Sequence, residues 1–324
     1  PALVLLRNHS QEAGFAAQRI LDLIDEGVPL TEIAVLYRSH YQSMELQMEL
    51  TRRRIPYEVR SGLRFFEQAH IKDIISYLRA ALNPMDEISW TRILKLVPGI
   101  GNVTAKKIWE QVRTSENPLE AAVSNDVTKL LTRRAKSNLD TYRLSLDTLK
   151  GESVLSNPSE AIHEILEKSY DEYLKGNYEN YDDRREDIEQ LSNYSVHFNS
   201  TRDFLSDLAL LTSVQSEDVV EAGEEGEAII LSTIHRAKGL EWSKVFIIGL
   251  TEGNFPSAKS MEDPEGEEEE RRVFYVAVTR AKDELYLCYP VMDNRWHAGA
   301  VVKRPSPFLQ ELAEDSYERW EIEE

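Results

Sequence analysis

The order of short apolar runs and helical segments is the feature that most limits how this chain can fold. The apolar runs cover residues 2–6, 33–37, 57–59, 228–232, 245–248 and 284–288. Segments with helical periodicity separate most of these runs, including one at about residues 267–280. Runs of this length that are apolar throughout are typical of strands buried on both faces, and their alternation with helices favours a doubly wound α/β fold with a parallel sheet.

The pattern changes in the middle of the chain. From residue 83 to about residue 220 the sequence has helical periodicity and almost no strand signal, as at residues 90–96 and 161–166. A chain of 324 residues is also long enough for two domains. We therefore expect an α/β domain formed by residues 1–82 plus 225–310, an inserted all-helical subdomain at residues 83–224 and an acidic tail at residues 311–324.

The charge balance limits the possible partners of the chain. With 57 acidic and 38 basic residues the formal net charge is −19, which argues against phosphate contacts because these need Lys and Arg. The acidic residues, however, are concentrated at residues 221–227, at residues 262–270 and at the C-terminus, whereas basic residues cluster at 52–54 and 106–107. Acidic runs are typical of solvated loops and tails. The charge thus weakens a nucleic-acid hypothesis without excluding it.

The single cysteine and the apolar stretches indicate a cytoplasmic protein. Cys288 lies in an apolar run and cannot pair within the chain, which fits a reducing compartment. The longest apolar stretch, near residues 244–250, is far short of a membrane span, and no signal peptide opens the chain. No histidine or cysteine cluster has metal-ligand spacing. Because the chain starts at Pro1 rather than Met, we expect it to be a piece of a longer protein.

Two segments next to predicted strands carry residues suited to binding a phosphorylated ligand. Residues 231–242 follow a strand and place polar side chains around Gly239, at the kind of position where α/β sheets bind ligands. Residues 268–282 read as a helix that ends near Arg280, whose guanidinium could reach a phosphate. The alternatives are an ordinary strand–helix connection and an arginine favoured by the helix dipole.

A third segment, residues 97–108, predicts a phosphate contact in the helical part of the chain. Two glycines around Ile100 form a tight turn whose N–H groups can meet a phosphate, and the next helix adds its positive N-terminal dipole. Lys106 and Lys107 supply charge nearby. The segment resembles a helix-hairpin-helix, which grips duplex backbone without reading sequence; the alternative is a simple corner between two helices.

Together these segments resemble the motifs of superfamily 1 DNA helicases of the UvrD/PcrA/Rep type. Residues 233–242 look like motif V and residues 269–281 like motif VI, and three further stretches match family motifs in family order and spacing: residues 35–43, residues 62–67 with 71–73, and residues 247–256. The sequence differs from the usual family pattern at Ser61-Gly62 and at His40-Tyr41. The resemblance covers nearly the whole chain.

The resemblance implies a RecA-like lobe and a set of nucleotide contacts. Residues 1–82 plus 225–310 would form the second RecA-like motor lobe of an ATP-dependent 3′–5′ DNA helicase. Arg38 and Arg280 would be arginine fingers on the γ-phosphate. Tyr37 would stack on the adenine, Glu241 would accept hydrogen bonds from the ribose and Gly239 would belong to the same nucleotide site.

The resemblance also implies DNA contacts in both parts of the chain. His235 and Arg64 would face single-stranded DNA. The turn and the lysines after it would contact the duplex at a single-strand/duplex junction through Gly99, Ile100, Gly101, Lys106 and Lys107.

The chain lacks the sequence elements that hold the triphosphate and its metal. None of its glycines is followed by lysine, so it has no Walker A motif, and no Asp-Glu-x-Gln element is present for Mg²⁺. We therefore expect ATP and Mg²⁺ to be held mainly by an N-terminal RecA-like lobe that this chain does not contain, and the chain alone to be inactive.

Two other functions are compatible with the same motifs. The chain could be the helicase portion of a helicase–nuclease of the RecB/AddA type. It could also be a non-catalytic module, built on a degenerate lobe, that binds DNA or docks a partner. The presence of Arg38, Glu241 and Arg280 argues against degeneration, since an inactive site has no need of them.

Overall fold

The computed structural model divides the chain into two compact units. It describes residues 1–60, 64–138, 143, 146–147, 150, 152–210, 228–257, 260–262, 264–295 and 299–322. The α/β unit comprises Pro1–Phe65 and Leu211–Glu324, and the helical unit comprises Phe66–Leu210. The acidic run at residues 221–227 and the motif residue Gly62 lie outside the described residues.

The α/β unit is built on a parallel sheet. Its strands are β1 (Ala2–Leu6), β2 (Ile33–Tyr37), β3 (Tyr57–Val59), β4 (Ile229–Thr233), β5 (Trp242–Ile247), β6 (Ala281–Pro290), β7 (Met292–Arg295), β8 (Gly299–Val302) and β9 (Glu318–Glu321). Seven of them form one sheet in the order β3-β4-β2-β5-β6-β1-β9, with parallel pairing throughout, and β7 and β8 form an antiparallel pair. The predicted α/β fold with a parallel sheet is confirmed.

The helices belong to both units. In chain order they are α1 (His9–Asp25), α2 (Met44–Arg52), α3 (Ala69–Leu82), α4 (Glu87–Leu96), α5 (Asn102–Val112), α6 (Pro118–Ala122), α7 (Asn125–Leu130), α8 (Arg133–Ser137), α9 (Glu152–Ser156), α10 (Pro158–Ile165), α11 (Asp171–Asn177), α12 (Tyr181–Ser195), α13 (Pro264–Val278) and α14 (Pro307–Gln310). Residues 201–210 are also helical, and a π-helical turn at Leu166–Tyr170 joins α10 to α11.

Helices cover both faces of the sheet, which explains why its strands are apolar throughout. Along β2, Ile33, Val35 and Tyr37 pack in a cluster with residues of α1 and α2, whereas Ala34 and Leu36 pack in a second cluster with residues of α13. All five side chains are fully buried. Successive strand residues point to opposite faces, and each fully buried large apolar side chain contributes about 1.5–3 kcal/mol. Residue 38 therefore lies on the α13 side.

Three expectations about the organisation of the chain differ in the structure. Helix α3 belongs to the helical unit, so the change of unit lies near residue 65 rather than after residue 82. Residues 318–321, expected in an acidic tail, form β9 on the sheet edge beside β1, where Trp320 packs edge-on against Phe15 and Tyr286. Much of the acidic run at residues 262–270 is the first part of α13 rather than a solvated loop.

Helix α3 anchors a buried polar network in the helical unit. His70 Nδ1 lies 2.8 Å from Arg184 Nη1, and its Nε2 lies 2.9 Å from Asp187 Oδ2. A guanidinium can only donate, so Nδ1 accepts and Nε2 carries the proton that it donates to Asp187. One turn later Asp73 accepts hydrogen bonds from Arg92 and Tyr170. Because His70 and Asp73 are buried with these partners, the network fixes the packing of several helices.

Candidate functional site

Arg38 follows β2 and is bound by a carboxylate from α13. Its Nε lies 2.9 and 3.0 Å from the two carboxylate oxygens of Glu270, and its Nη2 lies 2.7 Å from Oε1. The side chain of Glu270 is 4% exposed and that of Arg38 23% exposed. The pair is thus largely removed from water, where such charge-assisted bonds are strong and geometrically fixed.

The backbone around Arg38 is held by a second side chain, Gln42. Its Oε1 accepts hydrogen bonds from the backbone N–H of Arg38, at 2.8 Å, and of Ser39, at 3.1 Å. Its Nε2 donates to the carbonyl oxygen of Asn254 at 3.4 Å. A Cβ at Gly249, where φ is +71°, would lie 3.2 Å from the Gln42 side chain. Gln42 therefore ties the turn after β2 to the segment after β5.

The sequence interpretation missed both Glu270 and Gln42. Glu270 stands in an acidic run that reads as solvated, but it is in helical phase with Val273, Phe274 and Ala277, which are buried on the inner face of α13. That phase is the signal that could have found it, because residues three, four and seven positions apart share a helix face. Gln42 also has a local signal, because Ser39 and Gln42 have the spacing of a capping box, in which the side chain at the later position accepts from the backbone N–H of the N-cap residue.

Tyr37 and Arg38 point to opposite faces of the sheet. The residue Tyr37 is 0% exposed and its side chain lies in the cluster with α1 and α2. A ring that is buried in this way presents no free face to a base. Contact with an adenine would require Tyr37 to become exposed first, so this role stays a prediction that the present geometry does not favour.

Arg280 lies at the other end of α13 and is held by uncharged oxygens. Its Nε donates to the carbonyl of Val276 at 2.9 Å, its Nη1 to the carbonyl of Leu240 at 2.8 Å and its Nη2 to Thr279 Oγ1 at 2.9 Å. The Val276 carbonyl belongs to the last turn of the helix, which has no intrahelical donor. These contacts are those of a C-terminal helix arginine, and they engage all three guanidinium nitrogens.

Glu241 and Gly239 lie beside Arg280 rather than beside Arg38. The carbonyl of Leu240 accepts from Arg280 Nη1, and Trp242 N donates to the Arg280 carbonyl at 2.9 Å, so Glu241 is flanked by two contacts to this arginine. Both Glu241 and Gly239 are exposed. Gly239 has a φ of +87°, in the left-handed region that favours glycine. The structure therefore brings together three of the predicted nucleotide residues.

The two arginines occupy different levels of the sheet. Arg38 follows the carboxyl end of β2, whereas Arg280 precedes the amino end of β6, and all strands of the sheet run parallel. Glu270, which binds Arg38, precedes Arg280 by ten residues along the same segment. At a rise of 1.5 Å per residue this is about 15 Å. Helix α13 thus supplies a hydrogen-bond acceptor to each arginine, the Glu270 carboxylate to Arg38 and the Val276 carbonyl to Arg280.

His235 and Arg64, the predicted DNA contacts of the α/β unit, have separate surroundings. The residue His235 is exposed, but partial desolvation of its ring, followed by the positive charge of Arg38, lowers the pKa of His235. Its environment therefore favours the neutral imidazole. The Arg64 guanidinium lies 4.9 Å from the ring centroid of Tyr57, in a cation–π contact.

In the helical unit, the predicted phosphate turn connects α4 and α5. Gly99 has a φ of +98°, in the left-handed region that favours glycine, and a Cβ there would make a tight contact of 3.1 Å with the Ala135 backbone nitrogen. Gly101 is the N-cap of α5, with no side chain that caps the helix, and the first turn has no acidic residue. Ile100 is buried, and Lys106 and Lys107 are exposed on α5. The backbone N–H groups at this helix start are therefore not used by a capping side chain.

The described part of the chain also limits the possible metal and membrane contacts. No group of three or more His, Cys, Asp or Glu residues there could hold a metal ion. No described helix combines the length and apolarity needed to cross a bilayer. Cys288 is buried and unpaired, and burial raises the pKa of its thiol well above the ordinary value.

Comparison with known proteins identifies related sequences over most of the chain. The profile of the UvrD-like helicase C-terminal domain matches residues 2–291. DNA helicase II of Escherichia coli is 35% identical over 322 residues, which cover 96% of this chain and 44% of that protein. DNA helicase II of Haemophilus influenzae is 35% identical, with 94% and 43% covered. ATP-dependent DNA helicase PcrA of Bacillus subtilis is 33% identical, with 96% and 43% covered. The chain thus spans less than half the length of these relatives.

Proposed function

Because the chain belongs to the family of UvrD-like helicase C-terminal domains, we propose that it supplies the second motor lobe of an ATP-dependent DNA helicase. In this proposal the nucleotide is held mainly by another lobe of the full-length protein, and Arg38 and Arg280 face its phosphates. The observation that carries the proposal is Arg38 itself, at the end of a parallel strand, where Glu270 holds its guanidinium and Gln42 holds its backbone N–H. Such a fixed cation can stabilise charge that develops on a transferred phosphoryl group.

The described residues fit a triphosphate better than a metal ion. The guanidinium of Arg38 lies at one end of the sheet and that of Arg280 at the other, and both can donate to phosphate oxygens. The exposed carboxylate of Glu241, beside Arg280, suits hydroxyl donors such as those of a ribose. We therefore propose that Mg²⁺ is coordinated by residues beyond this set. Bound ATP would supply the reacting phosphate, and this chain would bind, orient and neutralise charge around it.

Among the described residues, Arg280 has fewer guanidinium N–H groups outside its hydrogen bonds than Arg38 has. All three of its nitrogens donate to oxygens of Val276, Leu240 and Thr279. A contact with a phosphate would use one of its two remaining N–H groups or replace one of these bonds. We propose that Arg280 makes this contact only when the nucleotide is bound.

The proposed substrate is DNA at a single-strand/duplex junction. His235 and Arg64 would contact the single strand, and the turn of Gly99, Ile100 and Gly101 with Lys106 and Lys107 would contact duplex backbone. The open helix start and the exposed lysines support this role, since phosphate contacts need backbone N–H groups and positive charge.

The experiment is strand displacement by the full-length protein on duplexes with a 3′ or a 5′ single-stranded tail. ATP-dependent unwinding of the 3′-tailed duplex, with less unwinding of the 5′-tailed one, is expected. DNA binding without ATP hydrolysis would contradict the proposal and favour a non-catalytic docking module. Unwinding accompanied by DNA cleavage would point to the helicase–nuclease alternative.

A further inference from the structure

The carboxylate of Glu270 contacts only one edge of the Arg38 guanidinium. Nε donates toward both oxygens of Glu270, and Nη2 donates to Oε1. A guanidinium has five N–H donors, so the two N–H groups of Nη1 and one of Nη2 remain outside this pair. In the described part of the chain no hydrogen bond from Nη1 is seen. The outer edge of Arg38 can therefore still donate two parallel bonds, the geometry that binds phosphate oxygens.

Glu270 is itself fixed on α13. It is buried on the face of the helix that carries Val273 and Phe274. Ser260 Oγ donates to Glu270 Oε1 at 3.3 Å. Gly266, on α13, allows this approach, because a Cβ there would collide with the carbonyl oxygen of Ser260. The carboxylate therefore has little freedom to follow a moving arginine.

We propose that Glu270 is a positioning residue for Arg38, which it holds by the inner edge so that the outer edge is presented to a phosphate. The inference rests on the proposed function, in which Arg38 stabilises charge on the transferred phosphoryl group. Gln42 fixes the backbone of Arg38 and Glu270 fixes its side chain, so the guanidinium is oriented before the nucleotide arrives. Such preorganisation is what electrostatic stabilisation of a transition state requires.

The role needs a carboxylate rather than a side chain of the same shape. Glutamine at position 270 would have one acceptor oxygen, and its NH₂ group would face the N–H groups of Arg38. Two donors that face each other cannot bond, so the guanidinium would turn away. Aspartate would keep the negative charge but would reach less far, because it is one methylene shorter.

The test is DNA-stimulated ATP hydrolysis by the full-length protein with Glu270→Gln. We expect kcat to fall by about 10- to 100-fold, the range that follows from small misplacement of a catalytic group, with KM for ATP within about twofold. Glu268→Gln is the matched control, since it removes one charge from the same helix at an exposed position, and it should keep wild-type kcat. Wild-type kcat in Glu270→Gln would overturn the inference and leave the proposed function standing.

A double-mutant comparison separates positioning from a structural role. In an Arg38→Ala background, Glu270→Gln should cause no further loss of kcat, because its effect passes through Arg38. A further loss of the same factor as in the wild-type background would overturn the inference. A wild-type protein without DNA-stimulated ATPase activity would overturn the proposed function and this inference with it.

Glu270→Asp covers the case in which the glutamine variant does not fold. It keeps the buried negative charge opposite Arg38 and should retain a kcat at least about threefold above that of any soluble Glu270→Gln protein, while remaining below wild type. Wild-type kcat in Glu270→Asp would show that the full length of the glutamate side chain is not needed, which would contradict the inference. A Glu270→Gln protein with the same kcat as Glu270→Asp would contradict the need for the negative charge.

Discussion

The α/β unit and the helical unit hold their candidate phosphate-binding cations in different ways. Arg38 and Arg280 each donate three side-chain contacts to fixed oxygens of their own unit. Lys106 and Lys107 are exposed on α5. A cation that is fixed in position suits one phosphate in one geometry, as catalysis requires. A cation on a mobile stem suits a phosphate backbone that is bound without regard to sequence.

The difference predicts that the arginines affect chemistry and the lysines affect binding. In the full-length protein, Arg38→Ala or Arg280→Ala should lower kcat for ATP by about 10³-fold, the usual magnitude for an arginine finger. The Lys106→Ala/Lys107→Ala variant should keep kcat within about twofold at saturating DNA. Steady-state ATPase assays check both values. A lysine variant with an equal loss of kcat would remove the distinction.

The two arginines should also differ in how much they contribute to the free energy of unfolding. Arg38→Ala leaves the buried carboxylate of Glu270 without its cation, and loss of one partner of a buried pair costs about 3 kcal/mol when the other is almost unexposed. Arg280→Ala loses bonds to uncharged oxygens at a half-buried site and should cost about 1 kcal/mol. Denaturant unfolding of the chain gives both free energies of unfolding. If Arg280→Ala proves the more destabilising, the pair with Glu270 is not the stronger anchor.

The helical unit should respond to salt in proportion to its lysines. Each neutralised phosphate contributes nearly one unit to the slope of log affinity against log salt, so Lys106→Ala/Lys107→Ala should reduce the slope for junction DNA by up to about two units. Lys168→Ala/Lys175→Ala is the matched control, because those lysines pair with acidic side chains close to them in sequence. Titration of a labelled junction at several salt concentrations measures the slope. An unchanged slope would mean that the turn of residues 99–101 is only a corner.

The smallest effect concerns His235. Desolvation and Arg38 lower its folded-state pKa, so the unfolded chain binds the proton more readily. Its contribution to stability is therefore present above the ordinary pKa of about 6.5 and is lost as pH falls toward the lowered value. Arg38→Ala removes one cause and leaves Glu270 unpaired, so the pKa of His235 should rise. An NMR titration of the His235 ring in both proteins tests this, and an unchanged pKa would mean that Arg38 does not act on the ring.

Sequence patterns predicted the sheet well because its strands are buried on both faces. The five-residue strands β1 and β2 and the three-residue strand β3 lie where the apolar runs placed them. Strand β9 was not predicted because it lies at a sheet edge and has no apolar run. Its residues Glu318, Arg319 and Glu321 are exposed. An exposed edge strand is not required to be apolar.

The supports of the candidate site could not be read from the sequence in the same way. Arg38 and Glu270 are 232 residues apart, and no local periodicity records that they form an ion pair. The motif resemblance gave the residues that would face a ligand, but not the side chains that hold them. For Tyr37 the motif resemblance and the strand pattern disagree. Its motif position suggests a stacking role, whereas the strand alternation places its side chain in the core.

The most direct test of the arginine roles compares affinities for two nucleotide states in the full-length protein. A non-hydrolysable ATP analogue reports the ground state, and MgADP with aluminium fluoride mimics the transferred phosphoryl group. Arg38→Ala should weaken binding of the second by about 10³-fold and of the first by no more than about threefold, since the stabilisation is expected in the transition state alone. Equal weakening of both would contradict the account, because Arg38 would then only bind ground-state phosphate.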